Sequence, residues 1–284
     1  MIHHPYDLAD QIKNIQIPSD FIGVWGLGQM GFLLKGADQH IIAIDPVLSN
    51  VVAERVPQQA GVFARAFPPP ILPDQLNFLD CVMITHEHLD HCDPNTLKLI
   101  LKASPDIKII GPLAALQAVQ NELPDIAAHW TVPLVDHAVM DGSRKVHAIP
   151  AAHYDLEFDD QGNSRYLSFL IEWGSINIFH SGDTIIYPGY FDKLRGLPKA
   201  NLAMVAINGR DAYRESFDIL GNLQPEEAVW MAKELGWDFL IGGHNDLFVF
   251  NSIPPGNISN AVNKINPSQK HMLLQPGQLF LYYQ

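Results

Sequence analysis

The segment Thr85-His86-Glu87-His88-Leu89-Asp90-His91 follows directly on an apolar run at residues 79–84 (LDCVMI), and Asp93-Pro94 follows just behind it. This junction constrains the fold more than any other stretch of the chain. A short apolar run bounded by polar residues reads as a buried strand. Asp93 is a good helix N-cap, and Pro94 suits the first helical position ahead of the Leu97, Ile100, Leu101 face. The chain is therefore expected to pass from strand to helix through a loop crowded with imidazole and carboxylate groups. In an extended segment, side chains at i and i+2 point the same way. His86 and His88 can thus meet one metal ion as neighbours. Once the chain turns, Asp90 and His91 can face a second ion. Imidazoles suit zinc, manganese and iron, and a carboxylate adds hard-oxygen character.

Three more ligand-type residues follow apolar runs in the same way. His153 comes after 145–149, Asp183 after 176–180, and His244 after 238–242. Loops at strand ends are where a rigid scaffold exposes chemistry. Singly, each has an ordinary structural reading; four strands ending alike shift the balance toward a metal site.

Further strands are expected at 21–26, 31–35, 40–45, 107–110, 166–173, 202–206, 271–274 and 278–282, with Gly174-Ser175 as a hairpin turn. Helices are expected at 112–122, at 225–235 between Pro225 and Gly236, and near 257–265. Strands come first and then alternate with helices, twice over. That order fits two β-rich halves with helices outside, a layered α/β arrangement. Residues 1–20 read as an N-terminal extension and 21–284 as a single domain.

THEHLDH, then PAAH, HSGDT and GGHND in that order, resembles the metallo-β-lactamase superfamily, from about residue 21 to the end. Within it, VWGLGQMGFLLKG, FHSGDT, INGRD and GGHNDLFVFN resemble the L-ascorbate-6-phosphate lactonase-like group. The resemblance implies an αββα four-layer sandwich and two divalent ions, zinc or manganese, with iron as a further fit. It implies that His86, His88 and His153 bind the first ion and Asp90, His91 and His244 the second, with Asp183 between them. It also makes Asp45, at the end of 40–45, a support for the metal loops. Asp90 and Asp183 are then the expected catalytic carboxylates of a hydrolase in which a metal-bridged hydroxide opens a small lactone or ester.

Asn208, Arg210 and Arg214 are expected to hold an anionic substrate group, since guanidinium forks recognise phosphate and carboxylate. Tyr154, and Tyr187 near Asp183, are expected to line the pocket. His180 reads as a core histidine and Cys92 as a small buried residue. His3 and His4 are only a pair and are given no role.

Charge and composition narrow the partners. With 18 Lys+Arg against 31 Asp+Glu, the net charge is −13. That disfavours nucleic acid, whose binders neutralise phosphates, and anionic membrane. A small-molecule substrate and a homo-oligomer are the expected partners. Two cysteines and no secretory pattern at the N-terminus point to reduced thiols in the cytoplasm. The chain has no GxSxG elbow for a serine hydrolase. The competing readings are a phosphodiesterase built on the same site and a non-catalytic metal-binding protein.

Overall fold

The computed structural model describes residues 5–59 and 61–284. His3 and His4 lie outside the described residues. The chain forms two compact units. The first takes residues 1–132, 247–250 and 274–283, and the second takes 133–246, 251–273 and 284.

The first unit is built on a seven-stranded sheet. From edge to edge its strands are Leu279–Tyr283, Phe21–Gly28, Gly31–Gly36, Ile41–Ile44, Cys81–Met83, Lys108–Ile110 and Trp130–Thr131. Phe21–Gly28 and Gly31–Gly36 pair antiparallel, and so do Gly31–Gly36 and Ile41–Ile44. Ile41–Ile44, Cys81–Met83 and Lys108–Ile110 run parallel. Phe21–Gly28 therefore points the same way as Ile41–Ile44 and Cys81–Met83. Gln29, Asp45 and Thr85-His86, which follow these three strands, emerge on one edge.

The helix Pro94–Ala103 starts where Asp93 accepts hydrogen bonds from the backbone N–H groups of Asn95 and Thr96. The other Asp93 oxygen accepts from the N–H of Ser49 at 3.0 Å, which ties the helix to the loop after Asp45. The helix Pro5–Asn14 was not anticipated. It buries Leu8 and Ile12, four apart on one face, in a core shared with Ile17, Trp25 and Leu33. Lys35 is buried in the strand Gly31–Gly36, and its ammonium donates to the carbonyls of Ile12, Lys13 and Ile15 at 2.8–3.1 Å. A cation thus satisfies the carbonyls at this helix's C-terminal end.

The second unit has its own seven-stranded sheet. The order is Lys270–Leu273, Phe239–Gly243, Leu202–Ala206, Ile176–His180, Leu167–Trp173, Arg144–Pro150 and Val139–Asp141. Gly174, at φ 62°, opens the two-residue turn between Leu167–Trp173 and Ile176–His180. The pairing directions make Arg144–Pro150, Ile176–His180, Leu202–Ala206 and Phe239–Gly243 all run parallel. Their C-terminal ends share one edge, and the loops bearing His153, Asp183, Asn208-Arg210 and His244 leave from it. The helix Pro225–Leu235 ends at Gly236 in the left-handed region, φ 67°, and packs Ala228, Val229 and Ala232 into this unit's core. Mixed α/β structure with two sheets is therefore present as expected. Among the described residues, no helix is long and apolar enough to cross a membrane.

Candidate metal centre

In the first unit, His86, His88, Asp90 and His91 gather around one loop. His86 Nε2 lies 3.0 Å from His88 Nδ1, and the His86 and His91 rings stand 4.1 Å apart. The loop turns back on itself, with the N–H groups of His91 and Cys92 both donating to the His88 carbonyl at 2.9 and 2.7 Å. That turn places Asp90 Oδ2 3.8 Å from His91 Nε2.

Three residues hold this geometry. Asp45, fully buried and in the left-handed region at φ 44°, accepts from the Thr85 N–H at 2.8 Å and the Thr85 hydroxyl at 2.6 Å. The same carboxylate meets His91 Nδ1 at 2.8 Å. Thr85 Oγ1 in turn lies 3.0 Å from His86 Nδ1. Both histidines are thus held through Nδ1, leaving Nε2 as the ligand atom; this is how outer partners fix an imidazole's tautomer and aim. Gln29 donates to Asp90 Oδ2 at 2.7 Å.

The second unit assembles the other three residues. His244 Nε2 lies 3.0 Å from Asp183 Oδ2, and His153 Nε2 lies 3.9 Å from the same oxygen. All three side chains are buried. Thr184 joins two of the loops: its hydroxyl accepts from the Ala152 N–H at 3.1 Å, and the Ala152 carbonyl accepts from the Ile185 N–H at 2.9 Å. His153 and Asp183 are thereby set by one tie. His244 adopts φ 60° just after Gly243. At Gly242, in the strand leading to His244, a Cβ would meet Ile207 Cδ1 at 2.5 Å and Leu273 Cδ2 at 2.7 Å, so any larger residue there must displace those two side chains.

The donor chemistry fits divalent cations. Every candidate ligand is an imidazole nitrogen or a carboxylate oxygen. Two ligands on one tetrahedral ion at 2.0–2.1 Å sit about 3.3 Å apart. The separations of 3.0–3.9 Å found within each unit bracket that value.

The residues expected to touch substrate lie differently. Asn208 is fully buried, and its amide is engaged by Asn222 and Asn251 at 3.0 Å each. The Arg210 fork meets both Glu227 oxygens at 2.6 and 2.7 Å. Arg214 donates to Asp211, to Asn251 and to the Asn208 carbonyl at 2.7–2.9 Å. These three side chains brace the loop that carries them, where the sequence suggested an anion clamp. Tyr154, one residue after His153, sits at φ 78° and hydrogen-bonds the Glu215 carboxylate; burial, assisted by that bond, raises its phenol. The Tyr187 hydroxyl donates to the Pro150 carbonyl at 2.5 Å. His180 is a core histidine whose Nδ1 accepts from the Gly182 N–H at 3.1 Å. Cys92 is buried, and burial pushes its thiol well above the ordinary range.

Sequence reasoning missed Gln29, Thr85, Thr184, Glu215 and Glu227. Thr85 stands next to the first ligand, which is a usable signal. Nothing local marks Gln29 or Glu215, because their partners are 61 residues away in each case.

Residues 40–245 match the family model for the Beta-lactamase superfamily domain. A UPF0173 protein of Pyrococcus furiosus is 32% identical over 167 residues, spanning 57% of this chain and 70% of its own length. A probable L-ascorbate-6-phosphate lactonase of Salmonella paratyphi B is 22% identical over 279 residues, spanning 85% of this chain and 74% of its own. Among solved structures, a metallo hydrolase from Ignicoccus hospitalis superposes with a TM-score of 0.69 at 18% identity, covering 93% of this chain and 99% of that one. That likeness shows the shared fold.

Proposed function

The chain belongs to the β-lactamase superfamily, and from that premise we propose that it is a metal-dependent hydrolase that opens a lactone or carboxylic ester. The observation that carries this reading is the two ligand sets, in which His86, His91, His153, Asp183 and His244 are buried and His88 and Asp90 are half-buried. His86, His88, Asp90 and His91 are steadied by Thr85, Asp45 and Gln29, while His153, Asp183 and His244 are steadied in part by Thr184. We assign all seven to one pair of divalent ions within a single hydrolase domain spanning 21–284. Once bound, such ions supply Lewis acidity to a scissile carbonyl and to the attacking water.

The protein's own groups do the rest. Asp45 keeps the His91 Nδ1 proton in place, so that Nε2 stays a donor to metal. Asp183 carries a carboxylate within reach of both His153 and His244. Asp90, oriented by Gln29, is the carboxylate placed to take a proton from the attacking water and pass it to the leaving alkoxide. The probable lactonase of Salmonella supports the carbonyl substrate. The anionic handle has lost its support, since Arg210 and Arg214 close on protein carboxylates.

The test is turnover of a lactone and ester panel by protein loaded with zinc, manganese or iron, alongside bis-p-nitrophenyl phosphate. Hydrolysis of a lactone or ester, abolished by chelation and reduced at least about a thousandfold in Asp183→Ala, is the expected result. Turnover confined to the phosphodiester would make the protein a phosphodiesterase. Metal binding with no turnover on any substrate would make it a binding protein.

A further inference from the structure

Residues 209–221 form a loop with a pinched neck. The Gly209 N–H donates to the Leu223 carbonyl at 3.0 Å, and the Asn222 N–H donates back to Gly209 at 3.1 Å. At Gly221 a Cβ would sit 2.1 Å from the Gly209 carbonyl oxygen, so the two sides of the neck touch through backbone. Arg214–Asp211 braces it from within, and Arg210–Glu227 ties it to the helix Pro225–Leu235. The short helix Ala212–Glu215 lies inside the loop, capped by Asp211.

This rigid loop displays apolar groups outward. Tyr213 is 66% exposed and Phe217 is 51% exposed, with their rings edge to face at 5.3 Å; Leu220 follows at 38%. A second loop, after Tyr154, exposes Leu156 and Phe158. Among the described residues, five of the thirteen exposed large apolar side chains fall on these two loops. Exposed apolar groups scattered singly need no explanation, but a cluster of them marks a binding surface.

The two loops are joined at one point. The Tyr154 phenol bonds the Glu215 carboxylate, and the Gly221 backbone also bonds the phenolic oxygen. Glu215 lies two residues from both Tyr213 and Phe217, and Tyr154 is the neighbour of His153. The Tyr154–Glu215 contact therefore ties the loop that carries the apolar display to the residue after a proposed metal ligand. Tyr154 holds a left-handed φ that an aromatic residue rarely adopts, so the surrounding contacts must over-determine it.

We propose that Tyr213 and Phe217 are specificity-determining residues, and that they receive an apolar alkyl or aryl arm of the substrate whose carbonyl would lie at the metal centre. This rests on the hydrolase reading above and names its substrate class. The occupant is a substrate arm because the loop leaves the same sheet edge as the loops bearing His153, Asp183 and His244. It is not an anionic arm, because the loop's two guanidiniums are already paired with Glu227 and Asp211.

The test uses the metal-loaded full chain and a homologous series of γ-lactones, from no side chain to a hexyl tail, with a carboxylate-ended tail of matched length. Each added methylene is expected to raise kcat/KM by about threefold over the first few. The carboxylated tail is expected to give no such gain. In Tyr213→Ser/Phe217→Ser, the ratio of kcat/KM for the hexyl lactone to that for the plain lactone is expected to fall at least tenfold, and Tyr213→Phe should keep it. A flat series in the natural protein, or an unchanged ratio in the double variant, overturns the proposal while leaving the hydrolase reading standing. A second readout does not need turnover: octanoate should bind at least tenfold more tightly than acetate by calorimetry, and the double variant should lose that preference. If no lactone or ester is turned over but this preference holds, the hydrolase reading falls and the apolar site stands. If the double variant changes only the oligomeric state in sedimentation, the surface is a self-contact and the proposal is wrong.

Discussion

Asp45 is not among the proposed ligands, yet two of them depend on it. Its carboxylate holds the His91 Nδ1 directly and holds His86 through Thr85. Asp45→Asn keeps the shape but can no longer present two acceptor oxygens. Partners of this kind typically contribute 10–100-fold in metal affinity. We therefore expect chelator competition to show a loss of about that size in the variant, with the folded spectrum kept; an unchanged affinity would leave Asp45 a packing residue only. The ligand-type residues themselves were legible in the sequence, because each follows an apolar strand that needs no other explanation. Asp45 was legible only through the family resemblance. Gln29 was not legible at all: it sits in an ordinary glycine turn, and only the folded sheet brings it to Asp90. Arg210 and Arg214 show the opposite error. Their chemistry suits an anion, but nothing in the local sequence reveals that Glu227, 17 residues on, takes the Arg210 fork first.

Among the helices, the one punctuated at both ends was read to the residue. The helix Pro225–Leu235 occupies the expected residues because Pro225 and Gly236 punctuate it. The helices Pro5–Asn14, Tyr190–Arg195 and Ala212–Glu215 and the strands Trp130–Thr131 and Val139–Asp141 were missed. Most are short, and their stability comes from tertiary contacts rather than propensity. For Pro5–Asn14 the decisive contact is Lys35, a charged residue in a strand that would ordinarily be taken as exposed. Lys35→Met strips the donor from three carbonyls at once. We expect a stability loss of at least about 2 kcal/mol in urea, with new proteolytic cleavage before residue 20; an unchanged midpoint would show that the helix holds without it.

The 209–221 loop should respond to acid in a defined direction. Burial alone would raise the Glu227 carboxyl, but the Arg210 fork and the Gln224 N–H outweigh it and hold it below the ordinary 4.5. A depressed folded value means that the stabilisation is fully present above the unfolded value and is lost as pH falls through the lower folded one. The loop's amides should therefore stay protected from hydrogen exchange at pH 4.5 and open only further into acid. Glu227→Gln should expose them already at neutral pH. Opening of the natural loop at or above pH 4.5 would show that this pair does not hold it.

At the scale of the whole molecule, two sheets and a mixed α/β fold could be read from the order of strands and helices, and the family match agrees. Two β-rich halves could be read as well, but not which residues make up each compact unit. Residues 247–250 and 274–283 return to the first unit from far along the chain, and no local pattern announces such a return. The two cysteines are both buried. With its thiol pushed up by burial, Cys92 should react with a thiol reagent only at the rate of unfolding; prompt reaction in the native state would mean that its surroundings open far more easily than the packing shows.

The net charge of −13 counts every aspartate as free. On the proposed reading, two aspartates and five histidines serve metal instead, and a pair of divalent ions adds about four positive charges locally. The most direct test of that claim is the number of ions held per chain after loading and exhaustive dialysis. The natural protein should retain two, and Asp183→Ala should retain at most one. No retained metal in the natural protein, or two ions still held without Asp183, would contradict the account.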